Sequence, residues 1–301
     1  GNYVSAVANG IITNNTTYGL PLSVDTMALF YNKDLLDQAG IPLPPNTWTE
    51  FAEQSTQATR QNTAGDIVQA GSTMGAGEGV ENAPDMLMLL LMQNGITPIR
   101  GNRVQFTENM REAKADHPTF LTLRFYTDFA NDTKEVYSWN TELGGAFDAF
   151  TSNRAVFYPG FSYELATIKA RAPQMNLAII PMPQLDPSNP VNVANYWVES
   201  VVAKSRQKDL AWDFIRFITN PENTKAYASA TRQPSPYRAH VSDYAEDPLL
   251  SPFASQILTA KNWYKGSNVD VANRALSNLI DQYLEPYSVD ISEDKRDVEL
   301  I

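Results

Sequence analysis

Residues 28–48 read ALFYNKDLLDQAGIPLPPNTW. The stretch opens as a buried strand, part of a β-like run over 18–32 that Asp25 and Thr26 interrupt. DLLDQA follows as a short helix, with Gly40 as its C-terminal stop. Pro42, Pro44 and Pro45 hold the exit extended. Thr47 then opens a second helix, and Glu50 three residues on completes a capping box; this helix is expected to reach about residue 60.

The same alternation continues outward. IVQAGSTM (67–74) reads as a buried strand, followed by the loop GAGEGVENAP. That loop is no Walker A motif, because no Gly-Lys-Ser/Thr closes it. NAPDMLMLLLMQNG is a core helix with Asn82 as N-cap, Pro84 in its first turn and Gly95 as its stop. A hairpin is expected over 96–107 and a helix over 108–130, broken or restarted at Pro118. AFDAFTSN reads as helix and AVFY as strand; Pro159-Gly160 is read as a turn, with a new helix from Ser162. NLAIIPMPQ and VANYWVESVVAKS read as strands. QKDLAWDFIRFIT carries apolar residues at 210, 211, 214, 215 and 218, a helical stripe that Asn220-Pro221 ends. A further helix follows, and two more are expected at 251–264 and 269–285. Strands alternating with helices define the class as α/β.

Composition narrows the function. The 301 residues suffice for two domains, and 43% hydrophobic content supports a sizeable core. The net charge of −11 argues against nucleic acid, which needs clustered Lys and Arg, and against an anionic membrane surface. The longest apolar runs, near 86–92 and 176–183, are too short to span a bilayer. The absence of cysteine excludes disulfides, thiolate catalysis and Cys-ligated zinc. The two histidines, His117 and His240, belong to no metal-ligating spacing, so neither metal nor cofactor is expected. No signal peptide is visible.

Four segments carry a family resemblance. YGLPLSVDTMALFYNKDLLDQAGIPLPPNTWTEF (18–51) is the most specific. AFDAFTSNRAVFYPGFSY (146–163), the run from IIPMP through NYWVESVVAKSRQKDLAWDFIRFIT (179–219) and YASATRQPSPYR (227–238) follow in the family's order. On these the chain resembles the extracytoplasmic solute-binding proteins of ABC importers, in the sugar-binding, maltose-binding-protein-like group. The resemblance implies a two-lobe periplasmic-binding-protein-like (type II) fold, with the ligand in the cleft between lobes joined by hinge crossings. Residues 1–24 and 188–238 are expected to form a partial first lobe, and 25–187 and 239–301 the second. The family's opening strand–helix–strand units are expected to be missing before Gly1, leaving the first lobe incomplete. The implied partners are a small solute, expected to be a sugar, and the transmembrane subunits of an ABC permease. The protein is expected to be an extracytoplasmic monomer, periplasmic or anchored as a lipoprotein on the outer face of a bacterial cell.

A sugar cleft needs flat apolar faces for pyranose C–H patches and polar groups for hydroxyls. The resemblance puts a ligand-facing carboxylate at Asp25, with a turn cap as the equal alternative. It puts a stacking aromatic at Phe161 or Tyr163, against a core role. Asn195, Tyr196 and Trp197 lie where the chain recrosses; alternation sets Asn195 and Trp197 on one face, and Trp197 is preferred over Tyr196 for the cleft. Trp263 and Tyr264 are placed on a late helix, over the sugar or in packing. Glu78, Glu81 and Asn82 line a loop whose glycines let backbone amides approach a ligand, against a merely solvated acidic loop. Arg232 either touches ligand or pairs with an acid. Trp48, Trp212 and the Met-rich helix 86–92 are read as structural. The competing functions are a glycoside hydrolase using paired carboxylates, for which no motif stands out, and a non-catalytic partner-recognition lobe.

Overall fold

The computed structural model describes residues 2–100, 103–106, 117–264 and 266–285. The chain runs α1 (Ser5–Ile11), β1 (Ile12–Thr13), β2 (Thr16–Thr17), β3 (Asp25–Asn32), α2 (Lys33–Gln38), α3 (Trp48–Ala58), β4 (Arg60–Gln61) and β5 (Ile67–Ser72). It continues through α4 (Ala83–Gln93), β6 (Ile99–Arg100), β7 (Arg103–Val104), α5 (Pro118–Thr127), α6 (Ala146–Thr151), β8 (Ala155–Phe161), α7 (Leu165–Arg171) and β9 (Leu177–Pro181). It ends with β10 (Asn192–Asn195), α8 (Lys208–Ile218), α9 (Pro221–Thr231), α10 (Ser251–Gln256), β11 (Ala260–Lys261) and α11 (Val269–Leu284).

β3, from the opening sequence stretch, is the centre of a seven-stranded sheet: six strands run in the order β11-β10-β3-β8-β5-β4, and β9 also pairs with β3. All eight of its residues are buried, as a strand covered on both faces requires. One edge pairs antiparallel with β8, from Met27 opposite Phe161 to Tyr31 opposite Phe157. The other edge is shared: β9 runs beside Ala28–Asn32, and β10 beside Asp25 and Thr26. β5 runs parallel to β8, so the C-terminal ends of β5 and β8 and the N-terminal end of β3 share one end of the sheet.

The elements around β3 follow their sequence signals. Asn32 accepts from the amides of Asp34 and Leu35 and so starts α2, and Gly40 at φ +73° ends it. Both halves of the Thr47/Glu50 box are present. Trp48 is buried, edge-on to Phe51 and Phe125, and donates its Nε1 proton to Gln93 at 2.7 Å. Met86 through Met92 are buried without exception.

Four local expectations are corrected and two more are qualified. Pro159-Gly160 is not a turn, because β8 runs through both to Phe161. A strand tolerates proline where its missing N–H faces no partner; β5 ends at Ser72, short of Pro159, whose carbonyl accepts from the Asn82 side chain instead. Asn82 does not cap α4 with its side chain, which reaches back to Tyr158, Pro159 and Glu164. The strand expected over 193–205 stops at Asn195, where pairing with Asp25 ends. The helix expected over 251–264 ends at Gln256, and Ala260-Lys261 pair in parallel with Asn192-Val193. The apolar stripe of α8 forms, but only Ile215 is buried, and Leu210, Phe214 and Phe217 stand in solvent. Of the helix expected over 108–130, residues 118–127 form α5, and 107–116 lie outside the described residues.

Apolar side chains gather in two clusters. The larger holds both faces of β3 and β8 with α4, from Met27 to Tyr283. The smaller joins Val4, Val7, Ile11 and Val24 to Ala228, Tyr244, Leu250, Ala254 and Ile257. Asp25 sits at the boundary, one residue after Val24 of the small cluster and two before Met27 of the large one.

Candidate functional site

The sheet end shared by β3, β5 and β8 carries most of the candidates. In open α/β sheets the crevice beyond the strand carboxyl ends is where ligands bind. Asn195 lies opposite Asp25 in the β10–β3 pairing, and Phe161 opposite Met27 in the next. The loop after β5 and the first turn of α4 lie beside them, tied by Asn82 to Tyr158 and Glu164.

Tyr163 is the aromatic the site presents. Its ring stacks on Phe161 with centroids 5.6 Å apart and planes 11° apart. Phe161 is fully buried, whereas Tyr163 is 47% exposed, so one face of Tyr163 is backed and the other is open. Its hydroxyl makes no hydrogen bond among the described residues. Burial raises its phenol pKa, and the carboxylates of Glu164, Asp25, Asp85 and Glu81 raise it further. Of these, Asp25 is held to the Tyr163 backbone amide and Glu164 follows Tyr163 in the chain.

They differ in what they already hold. Asp25 is buried; one oxygen accepts from Ser162 Oγ at 2.7 Å and the Tyr163 amide at 3.2 Å, the other from the Thr26 amide. It thus ties the start of β3 to the turn that carries Tyr163. Burial pushes its carboxyl up to about 6, against those three donors. Glu164 accepts the Tyr158 hydroxyl at 2.5 Å on one oxygen, and the Phe161 amide at 2.7 Å and Asn82 Nδ2 at 3.3 Å on the other. Burial pushes it up to about 7. Asp85, in the first turn of α4, accepts Trp263 Nε1 at 2.6 Å on one oxygen; burial raises it to about 6. Its second oxygen accepts nothing among the described residues. Glu81 is exposed and reaches the Phe147 amide at 3.4 Å.

The remaining candidates spread out. Trp263 is buried and lies after α10, held by Asp85 and tilted against Tyr264, so it borders the site through its indole N–H. Asn195 is part-exposed beside Asp25 with its side-chain amide free among the described residues. Glu78 is exposed, but the loop amides are engaged: Gly77 N and Glu78 N both donate to Asp281 Oδ1, at 2.7 and 3.1 Å. Gly77 is there for close approach, since a Cβ would lie 2.2 Å from the Ser277 carbonyl oxygen. Tyr196 turns away, donating to the Ala6 carbonyl and accepting from Asn262, and packs on the small cluster. Trp197 is 84% exposed beyond the end of β10. Arg232, left-handed at the end of α9, is paired with Asp247. Sequence reasoning missed Asp85; its only signal was an acid in the first turn of an otherwise apolar helix.

Two cavities lie elsewhere. One of about 450 Å³ opens between α1 and residues 258–262, and one of about 290 Å³ beside Trp48 and Phe125. Neither is lined by a candidate residue. Among the described residues no group of His, Cys, Asp and Glu could hold a metal ion, and no helix is long and apolar enough to cross a membrane.

Comparison with known proteins gives this architecture its class. The family model for bacterial extracellular solute-binding proteins matches residues 2–252, and the chain belongs to that family. The multiple sugar-binding protein of Streptococcus mutans is 21% identical over 260 residues, covering 85% of this chain and 59% of that protein. The fold matches UgpB of Mycobacterium tuberculosis in complex with glycerophosphocholine, with TM-score 0.75, 17% identity, and coverage of 99% of this chain and 73% of that one. It also matches the sugar-binding protein MalE of Xanthomonas citri, with TM-score 0.74, 21% identity and 99% and 72% coverage. The fold is thus that of the two-lobe periplasmic binding proteins. The matched curated relatives are spanned for only 12% to 59% of their own length.

Proposed function

We propose that the protein binds a carbohydrate or similar polar solute outside the cytoplasm, as a monomer, and delivers it to an ABC permease. The observation that carries this reading is Tyr163, half-exposed, backed by Phe161, with the Asp25 carboxylate on its amide and Glu164 next to it in the chain. An aromatic face beside acceptors is what a pyranose needs: C–H patches stack and hydroxyls donate. Family membership and the sugar-binding Streptococcus relative support it. Residues 1–24 and 188–238 belong on this reading to one lobe, and 25–187 and 239–301 to the other. The separate small cluster supports a division, although it also draws on residues 244–257.

Binding without turnover is part of the proposal. A hydrolase needs carboxylates free to act as acid and base or nucleophile. Asp25 and Glu164 each have both oxygens occupied by protein donors. The test is a thermal-shift screen with oligosaccharides beside a panel of chromogenic glycosides. A bound sugar at about 100 times its Kd is expected to stabilise the protein by about 2.7 kcal/mol, with no chromophore released. Turnover that disappears on substituting a site carboxylate would refute the binding-only reading.

A further inference from the structure

We propose that Asp25 is a positioning residue: without touching the solute, its carboxylate sets the orientation of the Tyr163 ring by fastening the Ser162–Tyr163 turn to the start of β3. The inference rests on the reading of Tyr163 as the sugar platform and deepens it by naming what holds that platform in place. The ladder between β3 and β8 ends with Met27 opposite Phe161, so no strand pairing holds residues 162 and 163. Continued by two residues, the same antiparallel register would set Asp25 opposite Tyr163. There the Asp25 side chain takes the place of the missing ladder bonds. One oxygen accepts the Ser162 hydroxyl at 2.7 Å and the Tyr163 amide at 3.2 Å. Glu164 also grips this turn, but through Phe161 and Tyr158 of β8, the strand that the turn continues, and through Asn82 before α4. Asp25 is what ties the turn to β3.

Asp25 is itself held on every side. Ser23 Oγ donates to Gln233 at 2.8 Å, the Val24 amide to the Pro234 carbonyl at 2.9 Å, and Thr26 Oγ1 to the Phe253 carbonyl at 2.9 Å. Asp25 pairs with Asn195 across the strand's other edge, and its second oxygen accepts the Thr26 amide at 2.9 Å. A buried carboxylate so occupied has little to offer a sugar; what it supplies is a fixed point for the turn. Tyr163 needs one. Its hydroxyl makes no hydrogen bond among the described residues and one face of its ring is open, so its plane is held by Phe161 behind it and by the backbone at 162–163.

A double-mutant cycle provides the test, read by calorimetric titration with linear α- and β-linked oligosaccharides. Ser162→Ala removes one of the two bonds to the turn and is expected to weaken binding about fivefold. Asp25→Asn is expected to weaken it by about tenfold or more, because an amide has one acceptor oxygen and must turn an N–H toward either the Tyr163 or the Thr26 amide. In the Tyr163→Ala background both losses are expected to shrink below about twofold, since no ring remains to be oriented. Nuclear magnetic resonance of tyrosine-labelled protein gives a second readout that needs no solute: both variants are expected to move the Tyr163 amide and ring signals. Should Asp25→Asn not fold, Ser162→Ala carries both readouts. A loss of affinity that persists in full without the Tyr163 ring would place Asp25 on the solute and overturn the proposal. Unmoved Tyr163 signals in the free variants would overturn it too. Failure of every probe to bind the wild type would overturn the carbohydrate reading instead, and the Tyr163 signals would still decide whether Asp25 orients the ring.

Discussion

At the residue scale, Tyr163 concentrates the chemistry. Its contribution as a platform separates from that of its hydroxyl. Tyr163→Phe keeps the ring stacked on Phe161, whereas Tyr163→Ala removes the only open face that Phe161 could support. Affinity for a bound sugar is expected to fall at least about tenfold in Tyr163→Ala. It should fall by clearly less in Tyr163→Phe; calorimetry on both variants checks this. Equal losses would move the binding role from the ring to the hydroxyl. The sequence pointed to the aromatic pair after Gly160 but could not tell which ring is buried. Which ring is buried depends on the β3–β8 register, since Phe161 closes the strand opposite Met27 and Tyr163 falls just beyond it. Trp197 was the opposite case. Its alternation argument assumed a strand that ends two residues earlier.

At the element scale, local signals were legible and tertiary partners were not. The Thr47/Glu50 box and the Gly40 stop are short-range chemistry, and each formed as read; the Asn32 cap of α2 is short-range too but was not read from the sequence. Thr47→Ala is expected to cost about 1 kcal/mol, the usual loss for an N-cap hydroxyl, measured by denaturant unfolding. α8 makes the complementary point. Its periodicity defines an apolar face, but periodicity cannot say whether anything lies against that face. Phe214 and Phe217 are both more than 60% exposed. Phe214→Ser is therefore expected to change stability by less than about 0.5 kcal/mol. Phe30→Ala, in the fully buried β3, should cost about 3–5 kcal/mol. A Phe214→Ser penalty near that of Phe30→Ala would mean that α8 is packed rather than solvated.

At the scale of the whole molecule, the site carboxylates leave a signature in stability against pH. Asp25 and Asp85 titrate near 6 and Glu164 near 7 in the folded protein, each raised by burial. Unfolded, all three revert to about 4. Between about pH 4 and 7 the folded state therefore holds more protons than the unfolded state. Stability must then fall as pH rises through that window. The stabilisation is fully present below the unfolded values and is lost as each folded group ionises. Below pH 4 the sign reverses, because Asp243, paired with Lys225, has its carboxyl lowered and loses that pairing on protonation. Melting temperature is thus expected to peak near pH 4–5 and to decline toward neutrality. Glu164→Gln, which keeps an acceptor for Tyr158, should flatten the decline between about pH 6 and 7.5 while leaving the part near pH 5 in place. A wild-type profile that rises steadily from pH 5 to 7.5 would mean that these carboxyls are not held protonated.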